Sequence, residues 1–342
     1  MEKNGRTVLL IGGSGSMGSY LSPLLLELGC RVTVASLEQE TATRPGLRFL
    51  SGDFRDLENL DRLLADHYDA VIDFLNYSAE EYRRRCRRFL ENTGHYIFLS
   101  SYRVYNGREL PTRETSPRFL DQCDDEDFRR SSDYSIEKAR NEDFLRASGM
   151  RNWTIVRPSI VFSRLSLPLV SLGAWMFYNR ALDGKPALIP DEALEIRGCA
   201  TWAGDIARMF AGVLFNSACF GETYTFATGE SLPWREWAEY YRELFGLRTW
   251  TVDLEAFKTI YWNNAPWATR QLLYDRMLNR VMDNSKILNA TGLSPADLTP
   301  VFKGLELEIR RLPKGFRFPG PPEVNRNMDR FLAGGGRVIR KL

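Results

Sequence analysis

Tyr134 and Lys138 stand four residues apart, and a serine pair, Ser100-Ser101, precedes them in the chain. A tyrosine is a poor base at its ordinary pKa of about 10. A lysine four residues further along a helix lies one turn away on the same face, and its charge favours the tyrosinate. Tyr134 and Lys138 therefore form a plausible acid–base pair. A serine hydroxyl beside them would stabilise charge developing on the same oxygen. Each element alone is weak, because Tyr-x-x-x-Lys pairs arise by chance on exposed helix faces. Ser100-Ser101 also reads as an ordinary strand-to-loop boundary.

These residues need elements to position them, and the first half of the chain supplies a regular set. Short apolar runs at Thr7–Ile11, Arg31–Ala35, Leu47–Leu50, Ala70–Leu75, His95–Ser100 and Trp153–Arg157 read as strands. Helical patterns lie between them, at Met17–Leu28, Leu57–Asp66, Glu80–Asn92 (ended by Gly94) and Ser132–Ser148. Strands alternating with helices predict an α/β, Rossmann-type doubly wound parallel sheet. The fourth run is apolar throughout except for Asp73, as expected of strands buried on both faces. Beyond Pro158 the expectations are a helix over Leu165–Asp183, a strand at Ala187–Ile189, a helix at Ala203–Leu214 and a strand at Thr223–Phe226. From Pro233 the chain is mainly helical and rich in tryptophan, and Pro313–Pro322 is irregular. The domain reading is residues 1–162, with 198–228 returning to them, and a smaller, mostly helical substrate-binding part formed by 163–197 and 229–342.

The first strand runs into Gly12-Gly13-Ser14-Gly15-Ser16-Met17-Gly18. Gly12 allows a tight turn, Gly15 allows backbone to approach a pyrophosphate, and Gly18 lets the helix pack on the sheet. The helix N-terminus then offers amide groups and partial positive charge to phosphates. The preceding strand and following helix supply the context that the motif requires. The end of the second strand carries Ser36 where an acid would select NAD, while Glu38 keeps NAD open and Arg44 could meet a 2′-phosphate. NADP is slightly favoured. Asp53, after the third strand, either holds the adenine amino group or caps the next helix, with Phe54 beside it.

At this point the chain resembles the extended short-chain dehydrogenase/reductase family, the nucleotide-sugar epimerase/dehydratase group. Ile11–Gly18 is similar to its Thr-Gly-Gly-x-Gly-x-x-Gly start, and Ser100-Ser101-x-x-Val104-Tyr105 to its Ser-Ser-x-x-Val-Tyr-Gly segment. Arg157-Pro158-Ser159-Ile160-Val161-Phe162 resembles its Arg-Pro-x-Asn-Val-Tyr block. Trp202–Ala207, Asp283–Lys286 and Thr291–Pro295 resemble later blocks in the same order. The resemblance implies hydride transfer at a hydroxyl or keto carbon of a sugar or nucleotide-sugar, in the manner of an epimerase or oxidoreductase. It implies that Tyr134 removes the hydroxyl proton, Ser101 hydrogen-bonds the forming carbonyl oxygen, and Lys138 holds the nicotinamide ribose. It further places Leu75, Asn76, Ser100, Pro158 and Ser159 against the cofactor, and Tyr102, Arg103, Ile160 and Arg197 toward substrate.

The departures narrow this reading. Sugar 4,6-dehydratases of the group carry an Asp-Glu pair directly after the active threonine, where this chain has Tyr102 and Arg103, so that chemistry is disfavoured. Ile160 replaces the substrate-holding Asn, and Arg197 sits one residue out of register. A reductase of a non-sugar metabolite that uses NADPH, and a non-catalytic RNA-associated member of the fold, are the alternatives. The RNA reading rests on Arg83-Arg84-Arg85-Cys86-Arg87-Arg88, which reads more simply as a solvated helix face balanced by Glu80 and Glu81. The chain's 46 Lys and Arg against 44 Asp and Glu disfavour a dedicated nucleic-acid binder. Five separated cysteines and two histidines predict reduced thiols and no metal site. With no secretion signal and no apolar run long enough to span a bilayer, a cytoplasmic protein is expected. A homodimer is compatible with the sequence.

Overall fold

The computed structural model describes residues 3–42 and 44–342. The chain divides into two compact units: Met1–Val161 with Ala203–Ala227 and Asp283–Leu298, and Phe162–Trp202 with Thr228–Met282 and Thr299–Leu342. The segment Asp283–Leu298, assigned to the substrate part from the sequence, packs instead with the first unit.

The first unit is built on β1 (Thr7–Ile11), β2 (Arg31–Ser36), β3 (Leu47–Ser51), β4 (Tyr68–Asp73), β5 (Thr93–Leu99) and β6 (Trp153–Pro158). Between them run α1 (Gly18–Glu27), α2 (Leu57–Leu64), α3 (Ala79–Glu91), α4 (Glu126–Arg130) and α5 (Tyr134–Arg146). A seventh strand, Glu222–Phe226, pairs in parallel with β6, as the apolar run at Thr223–Phe226 predicts. From that strand the order is β6, β5, β4, β1, β2, β3, and every pairing is parallel. The expected doubly wound α/β architecture is present.

Alternation within the strands builds two cores. Val8 and Leu10 point to the face covered by α1 and the helix Ala203–Val213, with Val32, Val34, Ile72 and Phe210. Leu9 and Ile11 point to the other face, with Leu60, Phe89, Phe98 and Leu145 from α2, α3, β5 and α5. Both faces are dry, which is why these strands read as continuous apolar runs. All strands end at the same edge. The connections diverge between β1 and β4, where the Gly12 amide donates to the Ala35 carbonyl (2.7 Å) and the Phe74 amide to the Ile11 carbonyl (2.9 Å). Open parallel sheets bind ligands at that crevice.

Local chemistry sets the helix starts. Asp56 caps α2 through the Asn59 amide, so the capping alternative considered for Asp53 belongs to Asp56. Ser78 and Glu81 form a capping box on α3, and Asp133 caps α5. Gly94 does not stop α3; it lies within β5, where a side chain would meet the Asp69 carbonyl at 2.8 Å. His95 is buried between β5 and β6. Its Nδ1 accepts from the Phe215 amide (3.3 Å) and its Nε2 meets Thr154 Oγ1 (2.8 Å). Burial pushes this imidazole down to about 3.

The second unit has a small sheet of its own, with Ala187–Pro190 parallel to Thr249–Val252 and the latter antiparallel to Arg340–Lys341. Helix Trp234–Phe245, on which Trp234 and Trp237 are buried, packs with Val301–Arg310, and Leu254–Ile260 packs with Glu323–Ala333. The long helix expected over Leu165–Asp183 does not form. Only a 3-10 turn at Ala174–Met176 and a short helix at Tyr178–Leu182 appear there, with isolated bridges at Ser163–Ser166 and Leu169–Leu172. Pro168 removes a helical donor and pushes Leu167 away from helical backbone. Val170 has φ 51°, and a side chain at Gly173 would strike the Trp175 ring. Leu167, Leu169, Val170 and Leu172 are all buried, so the apolar content follows burial and not helical period. Pro313–Pro322 is irregular, as expected. Among the described residues no helix is long and apolar enough to cross a membrane.

The glycine turn makes a measurable distinction. A methyl group at Gly18 would collide with the Gly13 carbonyl, whereas nothing lies within 4 Å of one at Gly15. Gly18→Ala should therefore lower unfolding stability by about 1–3 kcal/mol, the usual penalty of overpacking. Gly15→Ala should leave the urea midpoint unchanged. Chemical denaturation of the two variants checks both.

Candidate active site

β5 ends at Leu99, and the two serines follow. Ser100 is fully buried and its hydroxyl donates to Glu142 Oε1 at 2.6 Å. Ser101 opens a 3-10 turn, Tyr102–Val104, and its Oγ accepts the Arg103 amide at 3.2 Å. That bond occupies a lone pair on Ser101 and leaves its proton to be donated elsewhere.

α5 supplies the other two groups. Tyr134 is its first residue, directly after the Asp133 cap, at the positive end of the helix. Lys138 follows one turn on and is 1% exposed. Its ammonium donates to the Leu99 carbonyl at 2.7 Å and approaches the Leu75 carbonyl at 3.5 Å. It lies 5.7 Å from the centre of the Tyr134 ring and 5.2 Å from that of Phe98. One lysine thus joins the ends of β4 and β5 to the first turn of α5. Burial pushes its ammonium down from the ordinary lysine value, while the carboxylates of Asp73 and Glu142 hold it up. Burial likewise pushes the Asp73 carboxyl up, against the Leu75 amide, the Lys138 charge and the Tyr77 hydroxyl. Arg103 completes the cluster, with its guanidinium 5.1 Å from the Tyr134 ring centre and 3.7 Å from Asp133 Oδ1.

Glu142 lies one further turn along α5 and is completely buried. Arg157 from β6 grips it with two bonds, Nε to Oε1 (2.8 Å) and Nη2 to Oε2 (2.6 Å). Arg118 reaches Oε2 at 3.2 Å. Burial works to raise this carboxyl, but Arg157, Arg146 and Ser100 together outweigh it and hold the group at about 2. Arg157 also donates to the Glu114 carbonyl and covers the Tyr105 ring at 4.7 Å.

The crevice beside β1 is bounded by the glycine turn. Gly12 turns with φ 71°. α1 starts with no side-chain cap and no acid in its first turn, so the positive end of its dipole suits an anion. The open space at Gly15 leaves room for phosphate against bare backbone. A cleft of about 190 Å³ continues past Ser14, Ser36, Leu37, Glu38, Asp53, Phe54 and Leu75. These features fit an adenine dinucleotide. Asp53 Oδ1 accepts the Arg55 amide at 2.9 Å, and the Ser36 hydroxyl donates to the Glu38 carbonyl at 3.2 Å. Arg44, the cation proposed for a 2′-phosphate, instead approaches Glu27 at 3.9 Å and does not line the cleft. Arg55 does line it.

The remaining expected positions fall as follows. Gly13 is buried under the turn and Ser16 and Met17 lead into α1. Asn76 is exposed beyond β4. Pro158 ends β6, and the Ser159 amide donates to the Phe226 carbonyl at 2.9 Å. Tyr102 is 2% exposed, and Ile160 is half-buried. Arg197 belongs to the second unit, where its guanidinium donates to the Ser231 carbonyl and its amide to Asn279 Oδ1. The Arg83–Arg88 run is a paired helix face: Arg84 bonds Glu80, Arg87 bonds Glu91, Arg88 bonds Asp61, and Arg85 is buried against Tyr77.

Sequence reasoning missed Arg55 and the role of Glu142. The signal for Glu142 was its spacing, since Lys138 and Glu142 share one face of α5 four residues apart. Arg55 carries no such signal, because only the fold of the β3–α2 connection brings it to the cleft.

Residues 12–164 match a sequence family described as NAD(P)H-binding. That match covers under half of the chain, and the fold is shared with solved epimerase structures. Solved structures of that fold align over most of its length. An epimerase from Methanothermobacter thermautotrophicus is 18% identical with a TM-score of 0.67, covering 90% of this chain and 92% of its own. UDP-glucuronic acid 4-epimerase from Bacillus cereus, solved with UDP-glucuronic acid and NAD, is 15% identical with a TM-score of 0.68, covering 89% and 98%. UDP-glucose 4-epimerase from Thermus thermophilus, solved with NAD, is 19% identical with a TM-score of 0.64, covering 89% and 98%. No curated protein sequence matches the chain.

Glu142→Gln tests the anchor behind the site. It leaves the Arg157 charge buried without its counter-ion, which should cost about 3–5 kcal/mol. The sign in pH follows from the carboxyl's low value. Its stabilisation is present above the ordinary glutamate range, about 4.3, and is lost as pH falls through about 2. Denaturant midpoints of wild type and variant should therefore differ most at neutral pH and converge in strong acid.

Proposed function

We propose that this protein is an NAD(P)-dependent epimerase or oxidoreductase that acts at a hydroxyl or keto carbon of a sugar or nucleotide-sugar. Tyr134 is its acid–base group. The observation that carries this reading is the Lys138 ammonium, buried and held on the Leu99 carbonyl beside the Tyr134 ring. A buried cation fixed next to a phenol has no role in packing that an apolar residue would not fill at lower desolvation cost. Beside a phenol that must lose and regain a proton, it stabilises the charged form.

The chain's own groups divide the work. Tyr134 takes the proton of the substrate hydroxyl as the carbonyl forms, and returns it in the reverse direction. Ser101 donates its hydroxyl proton to that oxygen and stabilises the charge on it. Lys138 has donors beyond those on Leu99 and Leu75, and one of these is available to ribose hydroxyls of the cofactor. A nicotinamide cofactor, when bound, supplies the acceptor and donor of hydride. Gly12, Gly15 and the first amides of α1 would hold its phosphates, and Ser36, Asp53, Phe54 and Leu75 its adenosine. Tyr102 and Arg103 stand where the resemblance gives sugar dehydratases their Asp-Glu pair, which argues against water elimination by those positions.

A second reading, reduction of a metabolite with NADPH, is favoured by one feature, Arg55 in the cleft beside Ser36. Glu38 in the same cleft favours NAD.

Tyr134→Phe should reduce turnover by about 10²–10⁴-fold, the usual contribution of a positioned proton-transfer group. Dinucleotide affinity, read by fluorescence titration, should be unchanged. Retained turnover would remove Tyr134 from the reaction. For the cofactor, Arg55→Ala should weaken NADPH binding several-fold and leave NADH binding unaltered. Equal effects on both would assign Arg55 no contact with a 2′-phosphate.

A further inference from the structure

Relatives that eliminate water carry acids directly after the reactive hydroxyl residue, as the sequence resemblance implies. This chain places an arginine there. Arg103 is partly enclosed, with a side chain 14% exposed. Its backbone and its head are fixed by different parts of the site. The amide is held by Ser101 Oγ at 3.2 Å. The guanidinium stands 3.7 Å from Asp133 Oδ1 and 5.1 Å from the centre of the Tyr134 ring.

We propose that Arg103 is a positioning residue of the reaction centre, laid on the Tyr134 ring as a second positive charge alongside Lys138. The proposal rests on the reading in which Tyr134 is the acid–base group. Three elements present charge to that ring. The 3-10 turn brings Arg103, α5 brings Lys138 and Asp133, and β4 contributes Asp73 through Lys138. Two cations and the positive end of α5 thus favour the phenolate, and Asp133 partly offsets Arg103. A cation over an aromatic face is attracted to the neutral ring and more strongly to its anion. The same contact fixes the ring against rotation. Since the Arg103 amide is bound by Ser101, one residue sets the spacing between the two groups that must meet a single substrate oxygen.

The ionisation of Tyr134 can be read without a substrate. Protein labelled with ¹³Cζ-tyrosine is titrated by NMR, and the Tyr134 resonance is assigned by its loss in Tyr134→Phe. The wild-type midpoint of this phenol is the reference. In Arg103→Met and Arg103→Gln it should move up by about one pH unit, the lower end of the effect of a neighbouring charge, because Asp133 shares it. Arg103→Lys should lie between, since it keeps the charge but not the planar head. Thermal midpoints should stay close to wild type. A Tyr134 midpoint that is the same in wild type, Arg103→Gln and Arg103→Lys overturns the proposal. The underlying reading fails differently, through retained turnover in Tyr134→Phe, whatever the NMR midpoints.

Discussion

A carboxylate with no exposure to water, Glu142, is the point on which the candidate site hangs. It receives Ser100 from the end of β5, Arg157 from β6 and Arg118 from the connection ahead of α4. An ion removed from water in this way is expensive, and it persists only because every partner is in place. The consequence is geometric. α5 cannot slide or rotate on the sheet without breaking several charge-assisted bonds, so Lys138 is held on the Leu99 carbonyl at the end of β5, with Tyr134 beside it. An apolar contact of similar area would hold the helix but tolerate small shifts of register. The charged one does not.

The reaction centre itself is a problem in balancing charge. Lys138 is buried, which alone would favour its neutral form, and Asp73 and Glu142 restore its charge. That charge is then spent beside Tyr134, a residue whose useful state is anionic. Arg103 adds to the same field from another element, and Asp133 moderates it. The site is an arrangement of opposed charges, with Arg103 and Lys138 near the Tyr134 ring and Asp133 beside Arg103. This is the condition for a phenol to exchange protons near neutral pH.

The dinucleotide crevice rests on sterics more than on charge. Gly18 is required because backbone passes directly beneath it, Gly12 because the chain turns with positive φ, and Gly15 because space has to remain open. Three glycines in one motif thus serve three constraints.

The sheet and its order were legible in the sequence because strands buried on both faces must be apolar and the intervening helices amphipathic. The placement of the glycine turn, Ser101, Tyr134 and Lys138 was legible because it depends on spacing along one strand end or one helix face. Leu165–Asp183 was misread because buried irregular backbone carries the same apolar content as a helix, and only its packing around Trp175 distinguishes them. Arg44 was named and Arg55 missed for a related reason, since proximity along the chain says little about which cation faces a cleft. The sequence by itself determined most of the elements and the candidate residues of the proposed site, because these follow from local periodicity and intrinsic chemistry. The tertiary structure alone decided that Glu142 anchors them, that Arg55 lines the cleft and that Arg103 lies on Tyr134. Those are contacts between elements far apart in the chain, and no local pattern encodes them.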